Sequence, residues 1–133
     1  MNSFKYFLTL LFFVSSINAQ PNVIIILTDD LGWGDVSYHG GSIPTPNIDK
    51  LVSKGVEMNR FYSDPSCSPT RASMLTGINS FANGVIRPFA NPRVESFGMP
   101  LEHKIMPEYF KEAGYETALS GKWHLGMSED AFL

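Results

Sequence analysis

The sequence predicts an α/β sandwich built on a mainly parallel sheet, and three observations carry that expectation. Asn22-Val-Ile-Ile-Ile-Leu-Thr28 is a continuous β-branched run of the kind that forms a strand buried on both faces. Strand-like and helix-like segments then alternate along the chain in a βαβαβ-like order. Polar residues gather where the strand-like segments end: Asp29 and Asp30 after the first, Cys67 after the second, Lys122 and His124 after the third. In open α/β sheets, ligands bind at such strand exits.

Each element follows from its local chemistry. Residues 1–19 hold Lys5, an apolar run from Tyr6 to Val14, and small or polar residues up to Ala19. That order is a signal peptide cleaved after Ala19, for an exported chain with no stable membrane insertion, because the run is too short to span a bilayer. An uncleaved anchor or a buried strand is the alternative. Leu31 to Pro46 carries Gly32, Gly34, Gly40, Gly41, Pro44 and Pro46 and reads as a loop. Ile48, Leu51 and Val52 recur at helical spacing, with Thr45-Pro46-Asn47 as the start and Gly55 as the stop. Val56 to Tyr62 alternates as a second strand. Pro65-Ser-Cys-Ser-Pro69 is a tight loop, from which Thr70 to Leu75 runs as a helix before Gly77. Ile78 to Pro100, with Pro88, Pro92 and Pro100, is expected to be irregular surface. Met106, Tyr109, Phe110 and Ala113 form an amphipathic stripe closed by Gly114, and Tyr115 to Ser120 is a short third strand leading to Gly121-Lys-Trp-His124.

Composition narrows the function. The chain has 133 residues, 44% of them apolar, enough for one small core and one domain at most. Its formal charge is −3, and loss of residues 1–19 removes Lys5 and no acid, giving −4. With no basic stripe, nucleic acid is not an expected partner. Cys67 is the single cysteine, so an internal disulfide is excluded. An odd thiol in an exported protein calls for a reason, the plain one being a buried thiol that acts as a small hydrophobe.

The three polar clusters suit distinct tasks. Asp29 and Asp30 offer hard oxygen donors for Ca²⁺ or Mg²⁺, although Asp-Asp-Leu-Gly is also good chemistry for a solvated turn. Cys67 sits at the entrance of a helix, where N–H groups and the dipole favour negative charge. Arg71, four residues on, lies one turn away, so its guanidinium can come back toward the Cys67 position and meet an oxyanion. Simple anion binding and thiolate attack both remain open on these residues. Lys122 and His124 would share one face of an extended strand, a cation for substrate oxygens beside an imidazole for proton transfer. A surface lysine beside a hydrogen-bonded histidine is the bland reading. His39 is expected to be a hydrogen-bonding loop residue, His103 to be solvated, Trp33 and Trp123 to pack beside the site, and the Met106, Tyr109, Phe110 stripe to face the core.

Three segments together resemble the formylglycine-dependent sulfatase family. Cys67-Ser-Pro-Thr-Arg71, continued as Ala-Ser-Met-Leu-Thr-Gly77, is similar to the family's first signature. Gly114-Tyr-Glu-Thr-Ala-Leu-Ser-Gly-Lys-Trp-His-Leu-Gly126 is similar to its second, and Asn22 to Asp35 resembles its metal-binding opening. The likeness covers nearly all of residues 22–127 in the family's order. It implies an alkaline-phosphatase-like fold, incomplete here, with residues 20–133 as the N-terminal part of the catalytic domain. It implies that a maturation enzyme reading Cys67, Pro69 and Arg71 oxidises Cys67 to formylglycine. The hydrated aldehyde would attack the sulfur of a sulfate ester and expel the alcohol, and loss of a proton from its second hydroxyl, to His124, would then restore the aldehyde and expel sulfate. By the same resemblance Asp29, Asp30 and the residue at Cys67 hold Ca²⁺, with Mg²⁺ the alternative. Lys122 binds sulfate oxygens, and Arg71 holds the formylglycine and metal region.

The chain also departs from the family. Members run to several hundred residues, and their later part supplies two more metal ligands, a lysine and a histidine. The 133 residues alone are therefore expected to be inactive. Met99-Pro-Leu-Glu-His-Lys-Ile-Met-Pro107 and Gly121-Lys-Trp-His-Leu-Gly-Met127 look nearest to the arylsulfatase B-like branch, which points to a sulfated carbohydrate or aryl sulfate. A phosphohydrolase or phosphonohydrolase of the same superfamily is one rival, and a non-catalytic binding protein that keeps the fold is another. The expected location is periplasmic or secreted, or lysosomal in a eukaryote.

Overall fold

The computed structural model describes residues 20–89 and 98–126. The expected signal peptide, residues 1–19, lies outside them. The chain divides into two units, Met1–Leu31 and Gly32–Leu133. No described helix is long and apolar enough to cross a membrane.

In the first unit, the apolar run after Asn22 forms neither a strand nor a helix. Its side chains face solvent: Val23 is 52% exposed, Ile24 84% and Ile26 77%. A strand is defined by its ladder, and a segment meant to be covered on both faces has no reason to pair or bury itself without neighbours. The same holds for two other expected strands, Val56 to Tyr62 and Tyr115 to Ser120, which are irregular here. Among the described residues the only β pairing is an isolated antiparallel bridge between Gly98 and Gly126, with Met99 N–H donating to the Leu125 carbonyl at 2.8 Å.

The second unit is built from short helices. Two 3-10 turns, Trp33–Asp35 and Ser37–His39, begin it. Asp35 closes the first by accepting from Gly32 N–H at 2.6 Å. Gly41 must be glycine, because a Cβ there would lie 2.3 Å from the Asp35 carbonyl oxygen. Helix α1, Pro46–Val52, starts as expected, with Thr45 as N-cap and a proline in its first turn. Ser37 and Thr45 hydroxyls both donate to the Asp49 carboxylate, at 2.8–3.1 Å, and fasten the loop to the helix.

Helix α2 is Cys67–Thr76, and Gly77 ends it in the left-handed region at φ 69°. It starts three residues before the expected Thr70. Pro69 is compatible with that start because it falls in the first turn, where its missing N–H has no intrahelical partner to lose. Helix α3, Ser80–Asn83, lies where irregular surface was expected. The Asn79 side chain caps it by accepting from Phe81 N–H. Asn83 is fully buried and satisfied at both ends, its Nδ2 donating to Ile78 O and its Oδ1 accepting from Val85 N–H, each at 2.9 Å. That buried amide turns the segment inward and carries Val85 into the core.

Helix α4, Met106–Glu112, keeps the expected position. Glu108 accepts from Ile105 N–H at 2.7 Å at its start. Tyr109 departs from the predicted core stripe: it is 56% exposed, and the Lys104 ammonium sits 4.3 Å from its ring centroid. Lys104 also pairs with Glu112, and this hydrogen bond raises its pKa above the usual lysine value. Helix α2 packs against α3 and α4. The core is small: Ala72, Val85 and Leu125 are buried together, with Leu75, Phe89, Met99 and Trp123 against them.

Candidate active site

Cys67 is the first residue of α2, half-buried, with a free thiol. Three hydrogen bonds to Asp64 fix the approach to it. Thr70 Oγ1 donates to the Asp64 carbonyl at 2.9 Å, Ser73 Oγ to Oδ2 at 2.8 Å, and Ser80 Oγ to Oδ1 at 2.5 Å. One carboxylate thus ties the loop before Cys67 to both α2 and α3. The reading from sequence missed Asp64; the available signal was an acid three residues before the cysteine and hydroxyl residues one and two turns into the helix.

Arg71 projects from the first turn of α2, and its Nη1 donates to the backbone carbonyl of Lys122. The guanidinium fastens the Gly121–His124 segment to the cysteine-bearing helix. Two of the three polar clusters are brought together by this bond, and the Lys122 side chain is left exposed.

His124 is half-buried and has φ 56°, a conformation uncommon for a non-glycine residue. Its Nε2 lies 3.0 Å from the Phe89 carbonyl. A carbonyl only accepts, so Nε2 is the donor, and in the neutral ring Nδ1 then carries the lone pair. Nδ1 is buried and has no hydrogen-bond partner among the described residues.

Asp29 and Asp30 belong to the other unit, where both are exposed and Asp30 has φ 55°. Their oxygens are the right kind for a hard cation. Among the described residues, no group of three His, Cys, Asp or Glu side chains is placed to hold a metal ion. The donors thus fit Ca²⁺ in kind and fall short in number.

The supporting residues largely follow expectation. His39 is a loop clasp: Nδ1 donates to the Trp33 carbonyl, and Nε2 faces the Glu57 carboxylate, both at 2.7 Å. Trp33 stacks on the His39 ring at 3.7 Å and is otherwise 71% exposed, a loop contact in place of the packing expected beside the site. Trp123 packs on the core. A recess of about 820 Å³ runs along α4, lined by Ile105, Lys111, Leu119 and Trp123 among others, and includes none of Cys67, Arg71, Lys122 or His124.

Comparison with known proteins places the chain among relatives. The sulfatase family profile matches residues 21–132. The chain is 41% identical over 109 residues to Arylsulfatase J of Mus musculus, covering 82% of this chain and 18% of that protein. It is 45% identical over 109 residues to Arylsulfatase G of Rattus norvegicus, with 80% and 20% covered. With N-acetylgalactosamine-6-sulfatase of Homo sapiens it shares 40% over 114 residues, with 80% and 22% covered. The chain thus spans about a fifth of the length of these curated relatives. No solved structure matches. An alkaline-phosphatase-like α/β class accompanies the family match and agrees with the class expected from the sequence. Because the match runs through the aspartate pair, the cysteine helix and the lysine–histidine segment alike, the chain belongs to the sulfatase family.

Proposed function

We propose that this chain carries the nucleophile part of a sulfuric ester hydrolase that releases sulfate from a sulfated sugar or aryl sulfate. The observation that carries the reading is the joining of the Cys67 helix to the Lys122–His124 segment, through Arg71 on one side and Phe89 on the other. Formylglycine, made from Cys67 by a maturation enzyme that reads Cys67, Pro69 and Arg71, would supply as its hydrate one hydroxyl for attack at sulfur, with departure of the alcohol, and a second whose deprotonation restores the aldehyde and releases sulfate. The N-terminus of α2 favours negative charge at that position. His124 takes the proton at Nδ1, the nitrogen left free by the bond to Phe89. Lys122 binds the sulfate oxygens with its exposed ammonium, and Arg71 keeps the lysine and histidine in register with residue 67. Asp29 and Asp30, with residue 67, are the chain's ligands for Ca²⁺, or Mg²⁺, which supplies charge to polarise the sulfate. Two carboxylates leave most of a calcium shell of about six to eight oxygens to other groups.

The proposal extends to the fold and the route. Asn22 to Thr28, Val56 to Tyr62 and Tyr115 to Ser120 become strands of a mainly parallel sheet when their neighbours are present. Residues 1–19 direct export to a periplasmic, secreted or lysosomal destination. A sulfated sugar is favoured by the likeness to a protein named an N-acetylgalactosamine-6-sulfatase.

Two measurements test it. Mass spectrometry of the tryptic peptide Phe61 to Arg71, from protein made in the native host, is expected to show the aldehyde at position 67; an unmodified cysteine would favour a non-catalytic protein. The 133 residues alone are expected to show no turnover on an aryl sulfate. Turnover that is lost in Cys67→Ala would refute that expectation. For a longer product, paired sulfate and phosphate esters separate a sulfatase from a phosphohydrolase.

A further inference from the structure

Ser68, next to the nucleophile position, is fully buried. Its hydroxyl accepts the Phe89 N–H at 3.3 Å. The carbonyl of the same Phe89 accepts from His124 Nε2 at 3.0 Å. The two bonds use the N–H of the peptide before the Phe89 Cα and the C=O of the peptide after it, so the residue that orients the imidazole is anchored on its N-terminal side from the residue beside Cys67. Packing of the Phe89 ring on Ala72, Val85 and Leu125 fixes where this residue lies. Ring packing alone leaves the Phe89 backbone free to swing, and with the N–H held by Ser68 the ring and the N–H together fix where the Phe89 carbonyl carbon lies.

We propose that Ser68 is a positioning residue for His124, holding the imidazole through the Phe89 backbone with its proton on Nε2 and its lone pair on Nδ1. The tautomer follows because the carbonyl can only accept. An imidazole without such an acceptor interconverts between two neutral forms, and only one of them presents Nδ1 as a base. The spacing explains why a search for motifs passes over this link: Ser68, Phe89 and His124 are far apart in sequence, and the middle member acts through its main chain. The catalytic meaning of the link rests on His124 acting as the base proposed above; the link itself does not.

The test is the tautomeric state of His124 in the full chain with ¹⁵N-labelled histidine, at about pH 8, above the ordinary histidine range. The protein has three histidines, and loss of one set of signals in His124→Gln assigns the ring. Wild-type protein is expected to hold the proton on Nε2. Ser68→Ala is expected to shift His124 to comparable populations of both tautomers, with His39 and His103 unchanged, and Ser68→Thr, which keeps the hydroxyl, to restore the single form. Thermal melting run alongside shows which variants are folded. If Ser68→Ala is not, Ser68→Cys under reducing conditions takes its place, since a thiol is a weak acceptor. A wild-type proton on Nδ1, or a fixed tautomer in the folded Ser68→Ala or Ser68→Cys protein, overturns the inference. These readouts need no hydrolysis, so an unmodified Cys67 would count against the sulfatase reading without altering them.

Discussion

An L-residue held at positive φ resists its own steric preference, at a cost on the order of 1–2 kcal/mol. Among the described non-glycine residues two adopt it, Asp30 at 55° and His124 at 56°. Both were singled out by sequence for chemistry, one as a metal ligand and one as a base. Strain persists where the surroundings over-determine it, and such places cluster at functional sites. A comparison of two variants isolates the effect at His124. His124→Gly and His124→Ala both lose the ring and the bond to Phe89, but only glycine is at ease at this φ. The glycine variant is expected to be more stable than the alanine variant by about 1 kcal/mol in urea denaturation. An alanine variant of equal or greater stability would mean that this backbone conformation is not held in solution.

At the level of the element, α2 organises the site. Its first residue is the proposed nucleophile position, its first turn supplies Arg71, and its approach loop is anchored by Asp64. Asp64→Ala leaves the buried Ser80 hydroxyl without its acceptor and is expected to cost about 1–2 kcal/mol of stability. The same change should raise the rate at which a small alkylating reagent modifies Cys67, because the loop before it is released; an unchanged rate in a destabilised variant would mean that Asp64 holds only the helices. The helix was legible in the sequence because Gly77 marks its end, but its start was placed too late because Pro69 reads as a breaker unless the first-turn exemption is applied. Arg71 was identified and its contact was not, since its partner is a main-chain carbonyl 51 residues away. Asp64, Ser68 and Phe89 escaped notice for the same reason: hydroxyl and main-chain contacts across long separations leave no periodic pattern. Helix α3 was hidden by the glycines and prolines around it, and the Asn83 amide that folds the segment inward is visible only with its partners in place.

For the molecule as a whole, the class was legible, and among the described residues no sheet is formed. Alternation of strand and helix patterns pointed to the α/β class that the family match carries. Whether an apolar segment becomes a strand depends on neighbours that local sequence does not encode, and here the segments remain unpaired. This has a consequence for how the protein behaves at high concentration. Val23 to Leu27 is an uncharged, β-branched stretch without proline or glycine, with Ile24 84% and Ile26 77% exposed. Free main-chain groups flanked by such side chains are a template for cross-β stacking between copies of the chain. Concentrated protein is expected to self-associate into thioflavin-binding species, and Ile25→Lys, which places a charge in the middle of the stretch, should suppress them. The residues expected to form a covered strand of an enzyme are, while uncovered, the ones expected to draw its copies together.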